Sequence, residues 1–277
     1  MYYLLTDEND MYSYYNNKKI IDSNETIKIN SGLNINRNGS YILVKNPYDR
    51  CPPEDYSYYL RVGYVLNNTH YSECSGWIHS DSVILSDRYY VYDHKTIKKF
   101  NIPVHDNFIK YACLNGAIKF LEWWTNSGLP LEYHERALDS ASFHGRIDVL
   151  DWWFKSGLPL KYDTYALNWA SLKGHINVLE WWFKSGLELK YSTEALQFAS
   201  YNGHIDVLEW WLKSKLPLEY DEDILMYAYC SRNYLDILKW WKKLPIKYDD
   251  SKLNFGYSYD YSYDNPHDLK KLWKSLD

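Results

Sequence analysis

Hydrophobic positions in the second half of the chain follow a helical pattern that recurs with a fixed period. The stretch Gly174–Leu187 reads GHINVLEWWFKSGL, and its tryptophan pair has counterparts along the chain. The first tryptophans of the five pairs are separated by 29, 29, 29 and 30 residues: Trp123, Trp152, Trp181, Trp210 and Trp240. A fixed period in this range indicates a stacked array of repeats, each too small to bury its own hydrophobic face.

The apolar side chains of this stretch occupy an unusually wide arc of a helix. At about 100° per residue, the apolar residues from Ile176 to Phe183 cover about 220°, and Asn177, Glu180 and Lys184 form a narrow polar side. A surface helix of a compact protein needs an apolar stripe of only about 100°. We therefore expect both tryptophans and Phe183 to be buried by a partner helix and by neighbouring repeats. A polar replacement of Glu180 should then be nearly silent.

Small residues mark the other parts of each repeat. The first helix carries two alanines four residues apart, such as Ala166 and Ala170, which give it a flat face for the tryptophan helix. Glycines that suit a left-handed C-terminal cap follow the first helices (Gly116, Gly145, Gly174, Gly203) and the tryptophan helices (Gly128, Gly157, Gly186). Four residues are predicted N-caps: Asp163, Ser192, Asp221 and Asp249. In the fifth repeat Asn233 replaces the glycine, and we expect it to keep the left-handed turn.

The 29-residue period is absent from residues 1–95. Short β-type runs predict strands there, at Tyr2–Leu5, Thr26–Asn30, Tyr41–Lys45, Tyr58–Leu66 and Tyr89–Tyr92. Asn38-Gly39 predicts a hairpin between Leu33–Asn36 and Tyr41–Val44. We therefore predict a small β-rich domain of unknown role at 1–95. A mainly α-helical repeat solenoid of about five to six units follows at 96–277, with a C-terminal capping helix that starts at Asn265-Pro266.

Composition and charge narrow the possible partners. A net charge of −5 argues against a phosphate-binding surface, because affinity for nucleic acid depends on lysine and arginine. No apolar run is long enough to span a membrane, and the first residues lack the features of a secretory signal. The four cysteines, at positions 51, 74, 113 and 230, are then expected to be reduced thiols of a cytosolic protein. We expect a monomer without nucleic-acid or membrane partners.

Three patterns could indicate chemistry, and each has a structural alternative. His144, His175 and His204 recur once per repeat, which is too far apart for a shared ion, so they are expected to form structural hydrogen bonds. The only zinc-like set is Cys51, His70, Cys74 and His79, and its alternative is scattered cysteines.

The third pattern is the acidic run Asp221-Glu222-Asp223, which is expected to stabilise a helix start. No nucleophile elbow, dinucleotide fingerprint or P-loop is present. We therefore predict a non-enzymatic protein without catalytic residues, cofactor or metal. The alternative that remains open is a small metal-binding or enzymatic module at 1–95, targeted by the repeats.

The order AL..A...GH..VLEWW..SGL.L resembles the ankyrin repeat, whose pattern is TPLH.AA..GH..VV..LL..GA. The resemblance covers about residues 100–250. The period is 29 residues instead of the 33 of that family, which implies a shortened finger between repeats. Tyr165-Ala166-Leu167-Asn168 stands where the family has TPLH, so the hydrogen bonds of that motif are not expected here.

More narrowly, the tryptophan-pair repeats are similar to the ankyrin-like proteins that giant viruses of amoebae, such as mimiviruses, carry in large paralogous sets. Gly32-Leu33-Asn34-Ile35 and the run Asp81–Arg88 resemble segments that precede the repeats in such proteins. The resemblance implies a protein-binding scaffold in the cytoplasm of an infected host cell. An adaptor that recruits host proteins to ubiquitin-type degradation machinery is the alternative.

Positions that vary between the repeats of this one chain are candidates for partner contact. The resemblance implies binding on the concave side, through the first helices and the loops between repeats. We therefore predict a contact surface of eight residues: Lys110, Asp139, Phe143, Thr164, Asn168, Glu194, Gln197 and Tyr201.

Overall fold

The computed structural model describes residues 2–6, 11–12, 27–28, 32–35, 41–44, 59–65, 71–74, 77–80, 82–221, 223–246 and 266–276. Two compact units make up the chain, residues 1–132 and 133–277. Strands dominate the start of the first unit, and the rest of the described chain is an array of short helices, as predicted. The change from strand to helix lies between Tyr90 and His94, next to the predicted domain boundary at residue 95, which stays a prediction.

The strands of the first unit form one large and one small antiparallel sheet. Nine strands are described: β1 (Tyr2–Thr6), β2 (Met11–Tyr12), β3 (Ile27–Lys28), β4 (Gly32–Ile35), β5 (Tyr41–Val44), β6 (Tyr59–Val65), β7 (Tyr71–Cys74), β8 (Trp77–Ser80) and β9 (Ser82–Tyr90). The order in the seven-stranded sheet is β4-β9-β6-β1-β5-β8-β7, and β2 pairs with β3. The longest strands, β6 and β9, lie side by side and contribute the buried residues Val62, Val83 and Leu85.

The predicted hairpin between β4 and β5 is wrong. β4 pairs with β9, in the register Leu33 to Ile84, whereas β5 pairs with β1 and β8. The Asn38-Gly39 turn itself lies outside the described residues. A turn signal predicts that the chain reverses, but it does not determine which strand β4 pairs with. The long strand β9 pairs with β6 on one edge and with β4 on the other.

Three helices complete the first unit: α1 (His94–Phe100), α2 (Asp106–Leu114) and α3 (Ile118–Thr125). Asp93 caps α1, because its Oδ1 accepts a hydrogen bond from the backbone N–H of Lys95 at 3.0 Å. Tyr92, Phe108 and Phe120 form an aromatic cluster with ring centroids 5.2 to 5.8 Å apart. This cluster joins the end of the sheet to α2 and α3.

The second unit consists of four helix pairs and a last helix. The first helices of the pairs are α4 (Arg136–Phe143), α6 (Tyr165–Leu172), α8 (Glu194–Asn202) and α10 (Ile224–Tyr229). The second helices are α5 (Ile147–Lys155), α7 (Ile176–Lys184), α9 (Ile205–Ser214) and α11 (Tyr234–Lys242), and the last helix is α12 (Pro266–Ser275). Consecutive first helices pack against one another, and so do consecutive second helices.

Small residues allow this packing, as predicted. Ala166, Ala170, Ala195 and Ala199 are all buried between adjacent first helices and their tryptophan helices. Every predicted turn glycine has a left-handed backbone, and at Gly174 a side chain would also meet the ring of His204 at 3.0 Å. The predicted N-caps Asp163, Ser192 and Asp221 lie before the observed caps of α6, α8 and α10, which are Thr164, Thr193 and Asp223. Asp163 still accepts from Tyr165 N at 2.7 Å, and Asp221 accepts from Asp223 N at 3.1 Å. Asp249 lies outside the described residues.

The tryptophan helix buries a narrower arc than predicted. Val178, Leu179 and Trp182 are fully buried, but Trp181 is half-buried and Phe183 is 43% exposed. Phe154 and Leu212, at the equivalent positions of the neighbouring repeats, are also exposed. The prediction was wrong for these positions because each tryptophan helix packs against its first helix and the adjacent second helices, and its outer side is left uncovered.

The two tryptophans of a pair make different contacts. The indole N–H of the second tryptophan donates to a buried serine of the preceding repeat: Trp182 to Ser142, Trp211 to Ser171 and Trp241 to Ser200. The first donates to a carboxylate on the preceding second helix: Trp181 to Asp151, Trp210 to Glu180 and Trp240 to Glu209. Glu180 is therefore part of the contact between repeats, contrary to our expectation that its replacement would be silent.

Two turns depart from the regular repeat. Asn233 has a φ of −103°, so the predicted left-handed turn is absent at this position, and Asn233 instead starts α11. In the fourth repeat, Lys215 stands where the other repeats have glycine and still takes the left-handed conformation, with a φ of 61°. That backbone is strained for a residue with a Cβ.

Candidate functional site

The outward side of the first helices in the second unit is rich in aromatic residues. On α4, α6 and α8 the alanines and all leucines except Leu172 are buried, while a set of aromatic side chains is half-buried or exposed. This first-helix face consists of Phe143, Tyr165, Trp169, Phe198 and Tyr201. Tyr165 is 42% and Tyr201 is 51% exposed. Trp169 and Phe198 occupy equivalent positions of successive repeats, on a side of the helix where a solvated helix would carry polar side chains.

Ring contacts hold part of this face in a defined arrangement. Tyr165 stacks on Trp169, with centroids 4.8 Å apart and an angle of 28° between the rings. Phe143, from the preceding repeat, meets Trp169 edge-on at 5.6 Å. The ammonium of Lys173 lies 4.5 Å from the centroid of Phe143, within the range of a cation–π interaction. The rings are therefore pre-positioned and lose little freedom when they are covered.

The cations beside this face differ from those on the second helices. Lys155, Lys184 and Lys213 each pair with a carboxylate four residues earlier on their own helix. Lys173 and Arg136 have no carboxylate partner among the residues that the structure describes, and both are exposed. The first-helix face therefore combines rings with positive charges that the second unit does not neutralise by ion pairing in its described part.

The eight predicted contact residues separate into four groups, of which the last is the buried set Asp139, Asn168 and Gln197. Phe143 and Tyr201 lie on the first-helix face. Thr164 and Glu194 are half-buried at the starts of α6 and α8. Lys110 is half-buried on α2 in the first unit, with its ammonium 5.0 Å from the ring of Tyr111.

Asp139, Asn168 and Gln197 form the fourth group, and their burial corrects the prediction. They are 0%, 0% and 6% exposed, so their side chains offer almost no surface to a partner. The side chains of Asn168 and Gln197 instead contact Ser192 and Asp221, which precede the first helices of the following repeats.

Asn168 and Gln197 each form hydrogen bonds with a different residue of the following repeat. Asn168 Nδ2 donates to Ser192 Oγ at 2.8 Å and to Glu194 at 3.0 Å, and Asn168 Oδ1 accepts from the backbone N–H of Ser192. Gln197 Nε2 donates to Asp221 Oδ2 at 2.6 Å. These buried amides join consecutive repeats, so this position belongs to the interior of the array.

Asp139 occupies the same position but is followed by Asp163, a second carboxyl group. Burial raises the pKa of Asp139 to about 8, and the charges of Asp163 and Glu135 act in the same direction. Neither carboxyl oxygen of Asp139 has a hydrogen-bond partner among the described residues. Asp139 is therefore held in its protonated form near neutral pH, and this contact between repeats is sensitive to pH.

The recurring histidines have a structural role, as predicted. His175 Nε2 donates to the carbonyl oxygen of Phe143 at 3.1 Å, and His204 Nε2 donates to that of Leu172 at 3.0 Å. His144 Nδ1 donates to the carbonyl oxygen of Ser140 in its own helix. Burial lowers the pKa of His144 and of His175, and nearby cations, including Lys173, lower both further. His175 and His204 thus connect each repeat to the turn of the preceding one.

The structure adds little on metals. The described residues contain no cluster of three or more histidine, cysteine or acidic side chains that could hold an ion. Of the zinc-like set, Cys51 and His70 lie outside the described residues, and Cys74 and His79 lie on β7 and β8. A zinc site there stays an untested alternative. No described helix has the length and apolar character needed to cross a membrane.

Sequence reasoning missed Trp169 and Phe198 as members of the first-helix face. Trp169 falls outside the tryptophan pairs and was therefore not singled out. A signal was present in the repeat alignment, because the positions equivalent to Trp169 hold Phe198 and Tyr227 in the next two repeats. A large ring that recurs on the polar side of a first helix indicates an exposed aromatic position.

Comparison with known proteins supports the nature of the repeats. Residues 165–212, which contain α6 to α9, match the family model for ankyrin repeats (many copies). Among solved structures, the crystal structure of the human ASB11 ankyrin repeat domain is similar, with 14% identity over 50% of this chain and 69% of that chain and a TM-score of 0.40. No curated protein matches the chain. Ankyrin repeats are a general protein-interaction module that is typically non-enzymatic. The narrower resemblance to giant-virus paralogues stays a prediction.

Proposed function

We propose that this ankyrin-repeat chain is a non-enzymatic scaffold that binds a protein partner through the first-helix face of its second unit. The observation that carries the proposal is the exposure of ordered aromatic rings on α4, α6 and α8, next to helix sides that are fully buried. Aromatic side chains are enriched at protein interfaces, because they bury a large area and lose little rotamer freedom on binding.

Phe143 and Tyr201 are the predicted contact residues that we keep at the centre of this surface, together with the newly found Trp169. Thr164 and Glu194 are proposed to lie at its rim, at the starts of α6 and α8. Lys110 belongs to the first unit and is proposed as a contact by itself. Asp139, Asn168 and Gln197 are removed from the contact set because they are buried.

The second helices offer a matched alternative surface. Phe154, Phe183 and Leu212 are 49%, 43% and 38% exposed, and they recur once per repeat. The charges around them are largely satisfied, because Lys184 contacts Glu180 at 2.7 Å and Lys213 lies 3.9 Å from Glu209. We therefore favour the first-helix face, and the second-helix positions serve as the control.

Affinity capture of partners with two triple variants tests this assignment. One variant carries Tyr165→Ser, Trp169→Ser and Tyr201→Ser, and the other carries Phe154→Ser, Phe183→Ser and Leu212→Ser. Because the resemblance of the repeats points to giant viruses, the extract is amoebal, and captured proteins are quantified by mass spectrometry. The first variant should lose partners that the second retains. Loss in the second variant alone would move the binding surface to the second helices.

A further inference from the structure

The end of the first-helix face that lies at the turn into the second helices carries the exposed cation Lys173. Lys173 follows α6 directly, and its ammonium stays above the ring of Phe143 instead of pairing with a carboxylate among the described residues. Burial lowers the pKa of the neighbouring His144, and the charges of Lys173 and Arg146 lower it further. Arg232, at the corresponding turn two repeats later, is also exposed.

The opposite end of the same helices is of mixed charge. Glu194 begins α8 and Asp223 precedes α10, whereas the exposed Arg136 begins α4. The face therefore has an apolar centre, a turn end that carries Lys173 and an opposite end of mixed charge. Glu194 already accepts a hydrogen bond from Asn168, which occupies part of its acceptor capacity.

The dimensions of the face suit a short peptide segment. Three adjacent helices about 10 Å apart span about 20 Å. An extended chain covers that distance with about six residues at roughly 3.3 Å each. Such a segment can place alternate side chains against the rings and still reach the basic turn with one or two side chains.

From these observations we infer that the first-helix face docks a protein segment that combines bulky apolar side chains with acidic residues, with a carboxylate of the partner beside Lys173. This inference rests on the proposed function and specifies the chemistry of its partner. The rings supply the buried area, and the unpaired Lys173 selects the sign of the partner's charge. Complementary charge of this kind acts mainly on specificity and association rate.

Single-stranded nucleic acid is the other polymer that binds to rings and cations, and the geometry disfavours it. Base stacking requires an open ring face, but Tyr165 already stacks on Trp169, and Phe143 meets it edge-on. Phosphate binding requires a basic groove, whereas Glu194 and Asp223 lie along the same face.

The test is a selection of random peptides of about 12 residues displayed on phage, performed with the full chain and with two charge-reversal variants. Lys173→Glu changes the first-helix face. Lys184→Glu is the control, because Lys184 is also exposed and lies on the second helix of the same repeat. Denaturation curves for all three proteins confirm that each one is folded before selection.

The wild-type protein and Lys184→Glu should both enrich peptides that contain aspartate or glutamate together with tryptophan, phenylalanine or leucine. The Lys173→Glu variant should lose the acidic preference. A synthetic peptide from the wild-type selection, measured by fluorescence polarisation, should bind Lys173→Glu about tenfold more weakly and Lys184→Glu about equally.

Three outcomes would overturn the inference. These are enrichment of basic or uncharged peptides, an acidic preference that persists in Lys173→Glu, and tighter binding of oligothymidylate than of any selected peptide. A further outcome separates the two proposals: peptides bind, the triple variant with Tyr165→Ser, Trp169→Ser and Tyr201→Ser abolishes binding, and Lys173→Glu has no effect. The proposed function then stands, and only the acidic character of the partner is rejected. If no peptide is enriched and affinity capture shows no loss with that variant, both fail.

Discussion

The indole nitrogen of Trp182 donates a hydrogen bond of 3.0 Å to Ser142 Oγ, from the second helix of one repeat to the first helix of the preceding repeat. Both residues are fully buried, and the same bond recurs between Trp211 and Ser171 and between Trp241 and Ser200. Each repeat is thus connected to its neighbour through a polar contact in an otherwise apolar interior. Removal of the acceptor leaves a buried N–H without a partner.

We predict that Ser142→Ala lowers the free energy of unfolding by about 1–3 kcal/mol, because the indole N–H of Trp182 loses its partner. Trp182→Phe removes the donor, and Ser142→Ala should cost less in that background. Urea denaturation of the wild type, the two single variants and the double variant measures the coupling. Additive effects of the two substitutions would show that this hydrogen bond does not stabilise the array.

Adjacent residues on α7 should respond very differently to truncation. Trp182 is fully buried, whereas Phe183 is 43% exposed. We predict that Trp182→Ala costs about 3–5 kcal/mol. Phe183→Ala should cost less than about 1 kcal/mol. Denaturation curves recorded under the same conditions compare them, and equal losses would mean that the sides of the helix are wrongly assigned.

Glu180 should contribute to stability although it lies near the surface. It accepts the indole N–H of Trp210 at 2.6 Å and pairs with Lys184 at 2.7 Å. We predict that Glu180→Ala costs about 0.5–1.5 kcal/mol, the usual range for one such hydrogen bond. Asn177→Ala, an exposed position on the same helix, is the control for denaturation. A loss at Glu180 no larger than at Asn177 would contradict a role in joining the repeats.

The repeat architecture could be predicted from the sequence because its signals are local. A fixed tryptophan period, alanines four residues apart and a glycine after each helix all act within one repeat, and the structure confirms them at Ala166, Ala170 and Gly174. Neighbour relationships were harder to predict. Phe183 has the hydrophobic pattern of a buried residue, but the pattern does not state how far the next helix extends over it.

Variation between repeats was the weakest guide to the candidate site. The difference between Asn168 and Gln197 suggested an exposed position that is free to vary. In the structure Asn168 forms a hydrogen bond with Ser192, and Gln197 forms one with Asp221. The position of Asn168 and Gln197 looks variable when it is considered without its hydrogen-bond partner, which also differs between the two repeats. The sheet posed a related problem, because the Asn38-Gly39 signal predicts a reversal of the chain but says nothing about the pairing of β4 with β9.

The left-handed lysine of the fourth repeat is a site for stabilisation. Lys215 has a φ of 61°, in a turn where the other repeats have glycines such as Gly186, with a φ of 74°. We predict that Lys215→Gly raises the free energy of unfolding by about 1 kcal/mol, because glycine takes this conformation without strain. Gly186→Lys is the reverse substitution, and it has open space around the new Cβ. It should destabilise by a similar amount, and thermal denaturation of both variants checks the sign.

The pair of carboxyl groups at Asp139 and Asp163 should make stability depend on pH. The pKa of Asp139 is raised from 3.8 to about 8 in the folded chain, mainly by burial. Below about pH 4 the carboxyl group of Asp139 is protonated in both the folded and unfolded states, so its ionisation does not change the free energy of unfolding. Between these two values the unfolded chain releases the proton while the folded chain retains it, so the free energy of unfolding falls as pH rises from about 4 to 8.

Asp139→Asn should remove this dependence, because an amide does not ionise and can donate to Asp163 as Gln197 donates to Asp221. The difference in unfolding free energy between this variant and the wild type should therefore be small near pH 4 and grow towards pH 8. His144 and His175, whose lowered pKa values destabilise the fold at acidic pH, are present in both proteins, so they cancel from the difference. Denaturation at several pH values measures the difference, and a constant value would show that Asp139 titrates normally.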